Sequence, residues 1–574
     1  MNKFYYNEPR DSYDAIVVGT GISGGWAAKE LCEKGMKTLV LERGPMVKHR
    51  EDYPTANNDP WDYPHGETPT QEMLKRQPKQ SRTGYTTRMS SAHWFVDDID
   101  HPYNEIKQFD WMRGYHVGGR SIMWGRQSYR HSDIDFTANK REGIAVDWPV
   151  RYKDIKPWYD KVEAYIGVSG ENRGLKQLPD GVFEPAFEYN CVEEVFREKV
   201  ESGFDDGRVV TMGRTAHINS DKKFEGDGRI RCQTRNRCIR GCPFGAYFSS
   251  NSSTLPAAEA TGNMTLRTDS IVHEIMYDAD TQKATGVKVI DKETKETFEF
   301  KAKVVFLCAS AVASTAILMQ SKSDRFPNGM GNDSGELGHN IMDHHFKAGA
   351  MGRFDGFEDK YYKGRRPTGL YIPRFRNIGG STDMKEFKRG YGYQGGGSRG
   401  NFTDLIAETR GFGAELKNAI FQPGDWNIGM TAFGEILPYH DNKMMLDYDN
   451  LDQWGLPTVT FDAEIRDNEL AMRKDMQEQG VEMLKKAGAK DVMGYDAHYG
   501  FGNGIHEMGT ARMGRDAKTS VVNGNNQLHA VKNVYVTDGA FMTSGACVNP
   551  SLTYMAFTAR AADHAVNELK KGNI

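Results

Sequence analysis

No stretch of this sequence stays apolar for the roughly 20 residues that a membrane-spanning helix requires. The longest candidate, Val304 to Met319, is shorter and is interrupted by Ser310, Ser314 and Thr315. It predicts a buried strand, a turn and a short helix. The opening residues, Met1 to Asp14, hold no apolar core of a signal peptide, so a soluble chain without its own export signal is expected. An excess of one charge is also missing: 74 Lys and Arg stand against 78 Asp and Glu, a net charge of -4. That balance excludes a nucleic-acid or anionic-membrane surface built on bulk charge. Cysteine is sparse, seven in 574 residues. The odd number and uneven spread argue against a disulfide framework. No internal repeat is found.

Glycine, in contrast, is abundant, with 61 residues, which favours tight turns and close backbone approach to a ligand. The length calls for two or three packed domains. Asp14 to Gly19 reads as a short apolar strand running into Gly19-Thr20-Gly21-Ile22-Ser23-Gly24, then a helical stretch from Gly25 to Lys34 and a second strand from Thr38 to Glu42. This is a β-α-β unit with a G-x-G-x-x-G turn. Gly19 permits the turn, Gly21 lets the backbone approach a pyrophosphate, and Gly24 lets helix and strand pack closely. Glu42 closes the second strand, where a carboxylate can accept from ribose hydroxyls. The unit does not separate FAD from NAD by itself. Its place at the start of a long chain with no second such fingerprint leans toward FAD.

Further motifs carry a resemblance to a known family. Gly114 to Gly125 includes Gly118-Gly119-Arg120-Ser121 and Trp124; Asp147-Trp148-Pro149, Pro157-Trp158-Tyr159 and Gly338 to His344 follow. Near the end stand His506-Glu507-Met508-Gly509-Thr510, Tyr535 to Gly539, and Asn549-Pro550-Ser551. Together they resemble the glucose–methanol–choline (GMC) oxidoreductases, and the branch of bacterial FAD-dependent sugar dehydrogenase large subunits in particular. The resemblance spans nearly the whole chain. It implies an α/β protein, α+β overall: a Rossmann-like FAD-binding domain built from discontinuous segments, and a substrate domain with a mostly antiparallel sheet. The segments are expected at 1–150, 225–350 and 500–574 for the FAD domain, with 151–224 and 351–499 for the substrate domain. Gly390 to Gly400 reads as a flexible loop, a lid or a surface loop. Gly434 to Pro438, Met445 to Asp447 and Thr458 to Phe461 read as strands of the substrate-side sheet.

His506 and Asn549 lie where the family keeps its catalytic pair. A neutral imidazole suits removal of an alcohol proton, so His506 is expected as the base and Asn549 as a second hydrogen-bonding group on the same hydroxyl. A buried histidine that merely satisfies a polar contact is the plainer alternative. Gly118, Gly119, Ser121 and Trp124 are expected beside the flavin, with Asp538, Gly539, Pro550 and Ser551 also at the cofactor. Met123 stands where some relatives tether FAD through histidine, so non-covalent FAD is expected. His344 and His345 read as structural or near the cofactor.

Cys232, Cys238 and Cys242 fall in one basic loop, 231–245. Three close thiolates repel unless a cationic centre holds them, and zinc or an iron–sulfur cluster are the candidates. Three cysteines fit a three-iron cluster; zinc or a four-iron cluster with a distant ligand such as Cys191 stays open. The spacing resembles that of a bacterial FAD-dependent glucose dehydrogenase subunit carrying a three-iron, four-sulfide cluster. The resemblance therefore implies electron export to a small partner subunit and a cytochrome or other acceptor. It also implies a sugar or glycoside substrate, oxidised at a ring hydroxyl, position three first. Gluconate-, glucose- or fructose-type dehydrogenases and an oxygen-using oxidase are the alternatives. The compartment reads as cytoplasmic, or periplasmic if a signal-bearing partner carries the chain across.

Overall fold

The computed structural model describes residues 3–360, 367–400, 411–421, 424–497 and 500–574. Apolar β2 (Tyr13–Val18) leads through Gly19 to Gly21 into the helix Ile22–Glu33 and back to β3 (Thr38–Leu41). Both strands are almost wholly buried, as expected of parallel strands covered on two faces. They centre an eight-stranded sheet whose order is β1 (Phe4–Tyr5), β6 (Met264–Arg267), β3, β2, β9 (Thr297–Leu307), β8 (Lys283–Asp291) and β7 (Ser270–Asp278), with β17 (Val534–Val536) also paired to β9. β9 is split in role. Its first half pairs antiparallel with β8, and its second half pairs parallel with β2 and β17. The chain leaves β2 toward β3 on one side while β9 flanks the other, so a crevice opens beyond the carboxyl ends of these strands. The stretch from Val304 to Met319 is the end of β9, a turn, and the helix Ala311–Gln320.

A second sheet is antiparallel throughout. It runs β16 (Lys490–Asp496), β10 (His344–Phe354), β13 (Trp426–Glu435), β12 (Tyr391–Arg399), β11 (Leu370–Ile372) and β5 (Thr211–Met212). Ala348, Ala350, Ile428, Met430 and Ala432 alternate onto one face, where they form a buried cluster with Met472 and Met476 of the helix Asp467–Lys486. The other face turns toward the crevice. Strand β10 begins at His344, so it straddles position 350. A third, three-stranded sheet joins β14 (Lys443–Leu451), β15 (Pro457–Asp462) and β4 (Asn104–Glu105).

Two expectations are corrected here. The run Gly390 to Gly400 is no loop: Tyr391 to Arg399 form β12, inside the six-stranded sheet. The glycines serve close backbone approach, since a Cβ on Gly395 would lie 2.3 Å from the Gly429 carbonyl oxygen. Met445 to Asp447 and Thr458 to Phe461 are strands, yet they belong to the small third sheet. Of Gly434 to Pro438, only the first two residues are in a strand.

Candidate active site

The crevice holds a cavity of about 590 Å³. Gly19, Gly21, Glu42, Gly119, Ser121 and Trp124 line it from the first half of the chain; His506, Asp538, Gly539, Asn549 and Ser551 line it from the last. Gly19 has φ +95, and a Cβ there would sit 2.6 Å from the Cys308 carbonyl oxygen. Gly24 lies behind the cavity, where a Cβ would be 1.9 Å from the Gly19 carbonyl oxygen. Gly24→Ala is thus expected to push the helix off the strand and to abolish dinucleotide retention, read as the flavin-to-protein absorbance ratio of the purified variant.

Several features fit a dinucleotide. The helix Ile22–Glu33 starts at Gly21 with no side-chain cap, and a Cβ on Gly21 would meet nothing within 4 Å. Its first N–H groups are left for an anion. The helix Ser551–Lys571 likewise has no side-chain cap at Pro550. The buried hydroxyl of Tyr554 lines the cavity without a partner. Glu42 accepts from the Thr20 and Gly44 N–H groups, each at 3.1 Å, and from the Thr20 hydroxyl. One lone pair on Oε1 stays open for a ribose hydroxyl.

Other expected cofactor residues hold the chain itself. Gly118 (φ +89) precedes the turn Gly119–Ile122, and a Cβ on it would strike Asn251. Ser121 Oγ donates to the Gly118 carbonyl at 2.6 Å and accepts from Ser250 N at 3.0 Å. The Trp124 indole donates to the Phe248 carbonyl at 2.9 Å. Asp538 accepts from Ala540 N at 3.0 Å and from the Ser314 hydroxyl at 2.5 Å; burial pushes it up to about 6.

The centre of the site is a chain of ring nitrogens. His344 Nε2 lies 2.8 Å from the Ala546 carbonyl oxygen, which can only accept, so Nε2 carries the proton. Burial holds His344 neutral, its pKa lowered to about 4, so its Nδ1 is bare. That atom is 2.8 Å from His506 Nδ1, which must therefore donate. His506 is half-buried, and desolvation, then His344 and Arg120, keep it well below the ordinary imidazole value. Its Nε2 is therefore unprotonated on the cavity side, where it accepts from Asn549 Nδ2 at 3.2 Å. Gln394 Nε2 donates to Asn549 Oδ1 at 2.6 Å, which orients that amide.

The backbone beneath is pinned as well. Asp343 accepts from the N–H groups of His344, Gly504 and His506 at 2.7–3.0 Å. Burial, then the neighbouring Glu507, raise it to about 7. Arg120 makes a two-pronged pair with Glu507, at 3.2 and 2.7 Å, and so ties the loop of His506 to the turn Gly119–Ile122. Arg120, Glu507 and Gln394 were missed as site residues by sequence reasoning, and His344 was read only as structural or near the cofactor. Arg120 and Glu507 stood next to Gly119 and His506, which was the available signal. Gln394 was hidden in a run read as loop.

Cys232, Cys238 and Cys242 lie apart from the cavity lining, but Ile239, next to Cys238, is part of that lining. All three are free and half-buried. Burial, then the charges of Cys238 and Cys242, push Cys232 up to about 11. The Tyr247 hydroxyl lies within hydrogen-bond reach of the carbonyls of Ile122 and Cys238 and links the turn Gly119–Ile122 to the cysteine loop. His217 Nε2 is 3.8 Å from Cys238 Sγ. Arg235, Arg237 and Arg240 fasten the loop to the carbonyls of Ala56, Asn57 and Asn58. Among the described residues, no three His, Cys, Asp or Glu side chains converge as ligands of a single metal ion. Cys191 is half-buried at the start of the helix Cys191–Gly203, and Cys32, Cys308 and Cys547 are buried. No described helix is long and apolar enough to cross a membrane.

Comparison with known proteins agrees with this architecture. The chain is 25% identical to the fructose dehydrogenase large subunit of Gluconobacter japonicus, covering 98% of this chain and 99% of that one. It is 27% identical to the 2-methyl-1,2-propanediol dehydrogenase of Mycolicibacterium austroafricanum, covering 96% and 95%. Among solved structures, pyridoxine 4-oxidase from Mesorbium loti shares the fold with a TM-score of 0.57 at 16% identity, over 96% of this chain and 98% of that one. Residues 13–346 match the N-terminal domain model of the GMC oxidoreductases and residues 438–558 the C-terminal one; the chain belongs to the GMC oxidoreductase family, as an FAD-dependent enzyme acting on alcohol groups.

Proposed function

We propose that this enzyme is a dehydrogenase that oxidises a ring hydroxyl of a sugar or glycoside, with position three the first candidate. The observation that carries the alcohol chemistry is the hydrogen-bonded chain Ala546–His344–His506–Asn549, which leaves His506 Nε2 unprotonated; the similarity to a fructose dehydrogenase large subunit supports the sugar class. An incoming hydroxyl would insert into the hydrogen bond between Asn549 Nδ2 and His506 Nε2, donating its proton to Nε2 while its oxygen accepts from Asn549 Nδ2. The carbon–hydrogen bond is then held in one direction, and orientation is the protein's share of the work. FAD, when bound, supplies the hydride acceptor. Gly19, Gly21 and Glu42 would hold its adenosine and pyrophosphate, and Gly118, Gly119, Ser121 and Trp124 would shape the wall beside its ring. Asp538, Gly539, Pro550 and Ser551 would close the site from the C-terminal segment, with no covalent link.

Cys232, Cys238 and Cys242 would hold a three-iron, four-sulfide cluster, which when present supplies one-electron transfer. Supporting this are the three free cysteines of one loop, the arginines that fasten it and the approach of Ile239 to the cavity. The large-subunit relative supports a small partner subunit and an external acceptor. An oxygen-using oxidase is the second reading.

The sugar reading is tested by anaerobic flavin bleaching with a panel of free sugars and glycosides, then by dye reduction against oxygen uptake with the best of them. Dye-coupled turnover without peroxide is expected; stoichiometric peroxide would establish the oxidase instead. Iron and acid-labile sulfide are expected in anaerobically purified protein and absent from a Cys232→Ser/Cys238→Ser/Cys242→Ser variant. Zinc without iron would remove the cluster from the account.

A further inference from the structure

The crevice-facing side of the six-stranded sheet does not end at the catalytic pair. Phe433 of β13 lies 6.5 Å from the His506 ring and stacks on Phe346 at 5.1 Å. Two residues along, Thr431 pairs with Gln394 of β12 and with Gly349 of β10, which pairs in turn with Tyr495 of β16. Residues paired in register share a face, so Gln394, Thr431 and Tyr495 form one polar row; the Thr431 and Tyr495 hydroxyls are hydrogen-bonded to each other. Two residues further, Gly429 pairs with Met351, and Met351 with Met493.

This outer row is open and apolar. A Cβ on Gly429 would meet nothing within 4 Å, and Met351 and Met493 are 43% and 55% exposed. Beyond it the surface turns ionic: Arg353 pairs with Asp355 and Asp491, and Lys490 with Asp355. From Phe433 to Gly429 is four residues, roughly 13 Å of strand, which is longer than one sugar ring. An exposed apolar ledge, rimmed by charge and on the same sheet face as Phe433 beside His506, has the character of a binding surface.

We propose that this ledge is an outer subsite of the same active centre, taking the apolar, aromatic aglycone of a glycoside whose sugar hydroxyl lies at His506 and Asn549. The inference rests on the sugar reading above. The polar row at Gln394, Thr431 and Tyr495 would meet the hydroxyls of the sugar ring. The aglycone would lie on the flat backbone at Gly429 between the thioethers of Met351 and Met493, which favour aromatic partners.

The test uses the full-length, FAD-loaded protein and matched pairs of methyl and phenyl β-glycosides of glucose, galactose and xylose, read as anaerobic flavin bleaching. The phenyl member of the reactive pair is expected to half-saturate bleaching at a concentration roughly ten-fold lower than the methyl member. In a Met351→Ser/Met493→Ser variant that advantage should fall below about two-fold. Both side chains are exposed, so the variant is expected to fold, and its flavin content checks this. Equal half-saturation for the two members in the wild type would overturn the subsite while leaving the sugar reading intact. So would an advantage that persists in the double variant. If no glycoside or sugar bleaches the flavin, the sugar reading itself fails and the aglycone subsite falls with it.

Discussion

His506→Ala is expected to lower the rate of substrate-dependent flavin reduction roughly 10²- to 10⁴-fold, the range of a lost general base. FAD should remain bound, because the cradle at Gly19, Gly21 and Glu42 lies on other elements. The substitution leaves His344 Nδ1 without its donor in a buried setting, which costs about 1–3 kcal/mol, small enough to keep the fold. Anaerobic stopped-flow mixing and the flavin-to-protein ratio check both halves of the expectation. Full loss of flavin would indicate a structural histidine, and an unchanged reduction rate would remove His506 from the chemistry.

The same base sets the pH dependence. The desolvated His506 imidazole, its pKa depressed, is protonated only well below the ordinary histidine value. Protonation of Nε2 fills the acceptor lone pair, so activity is lost as pH falls through that depressed value and not before. The profile of kcat/KM is expected to show no inflection at the ordinary imidazole pKa. An acid limb at that value would place His506 in a wetter site than the one described.

The second large effect is expected at His344, acting as a positioning residue. His344→Phe keeps a flat ring but removes the acceptor at Nδ1 and the donor to Ala546. The His506 proton is then free to move to Nε2, the wrong nitrogen for accepting from substrate. Flavin reduction should slow roughly 10- to 100-fold, as when the outer partner of a histidine is removed. FAD content should stay unchanged. His344→Gln can both donate and accept, and is expected to recover much of the rate; a purely space-filling role would be rescued by Phe and not by Gln.

What could be read in the sequence was decided by spacing along the chain. The unit around Gly19, Gly21, Gly24 and Glu42 is local, so turn, helix and strand are legible in forty residues. His506 and Asn549 were legible through their motifs, and the structure places them 3.2 Å apart. The partner that sets the tautomer was not legible: His344 and His506 are 162 residues apart, and a ring nitrogen's proton depends on what the other nitrogen meets. The glycine run at β12 misled for a related reason. Strand signals lie in side chains, and β12 is held by the close approach of neighbouring backbones, which one sequence does not display. Met445 to Asp447 and Thr458 to Phe461 were expected as strands through the family resemblance; their sheet was set by long-range pairing with β4.

The central claim is that His506 takes the proton of an alcohol whose carbon–hydrogen bond is held toward the site that FAD, as hydride acceptor, would occupy. Its most direct measurement is anaerobic flavin bleaching by the best glycoside of the panel, protiated against deuterated at the oxidised ring carbon. The account predicts bleaching in the wild type that is several-fold slower with deuterium, and almost none with His506→Ala at equal FAD content. Wild-type FAD that no sugar, glycoside or diol bleaches, or bleaching that persists at the same rate without His506, would contradict it.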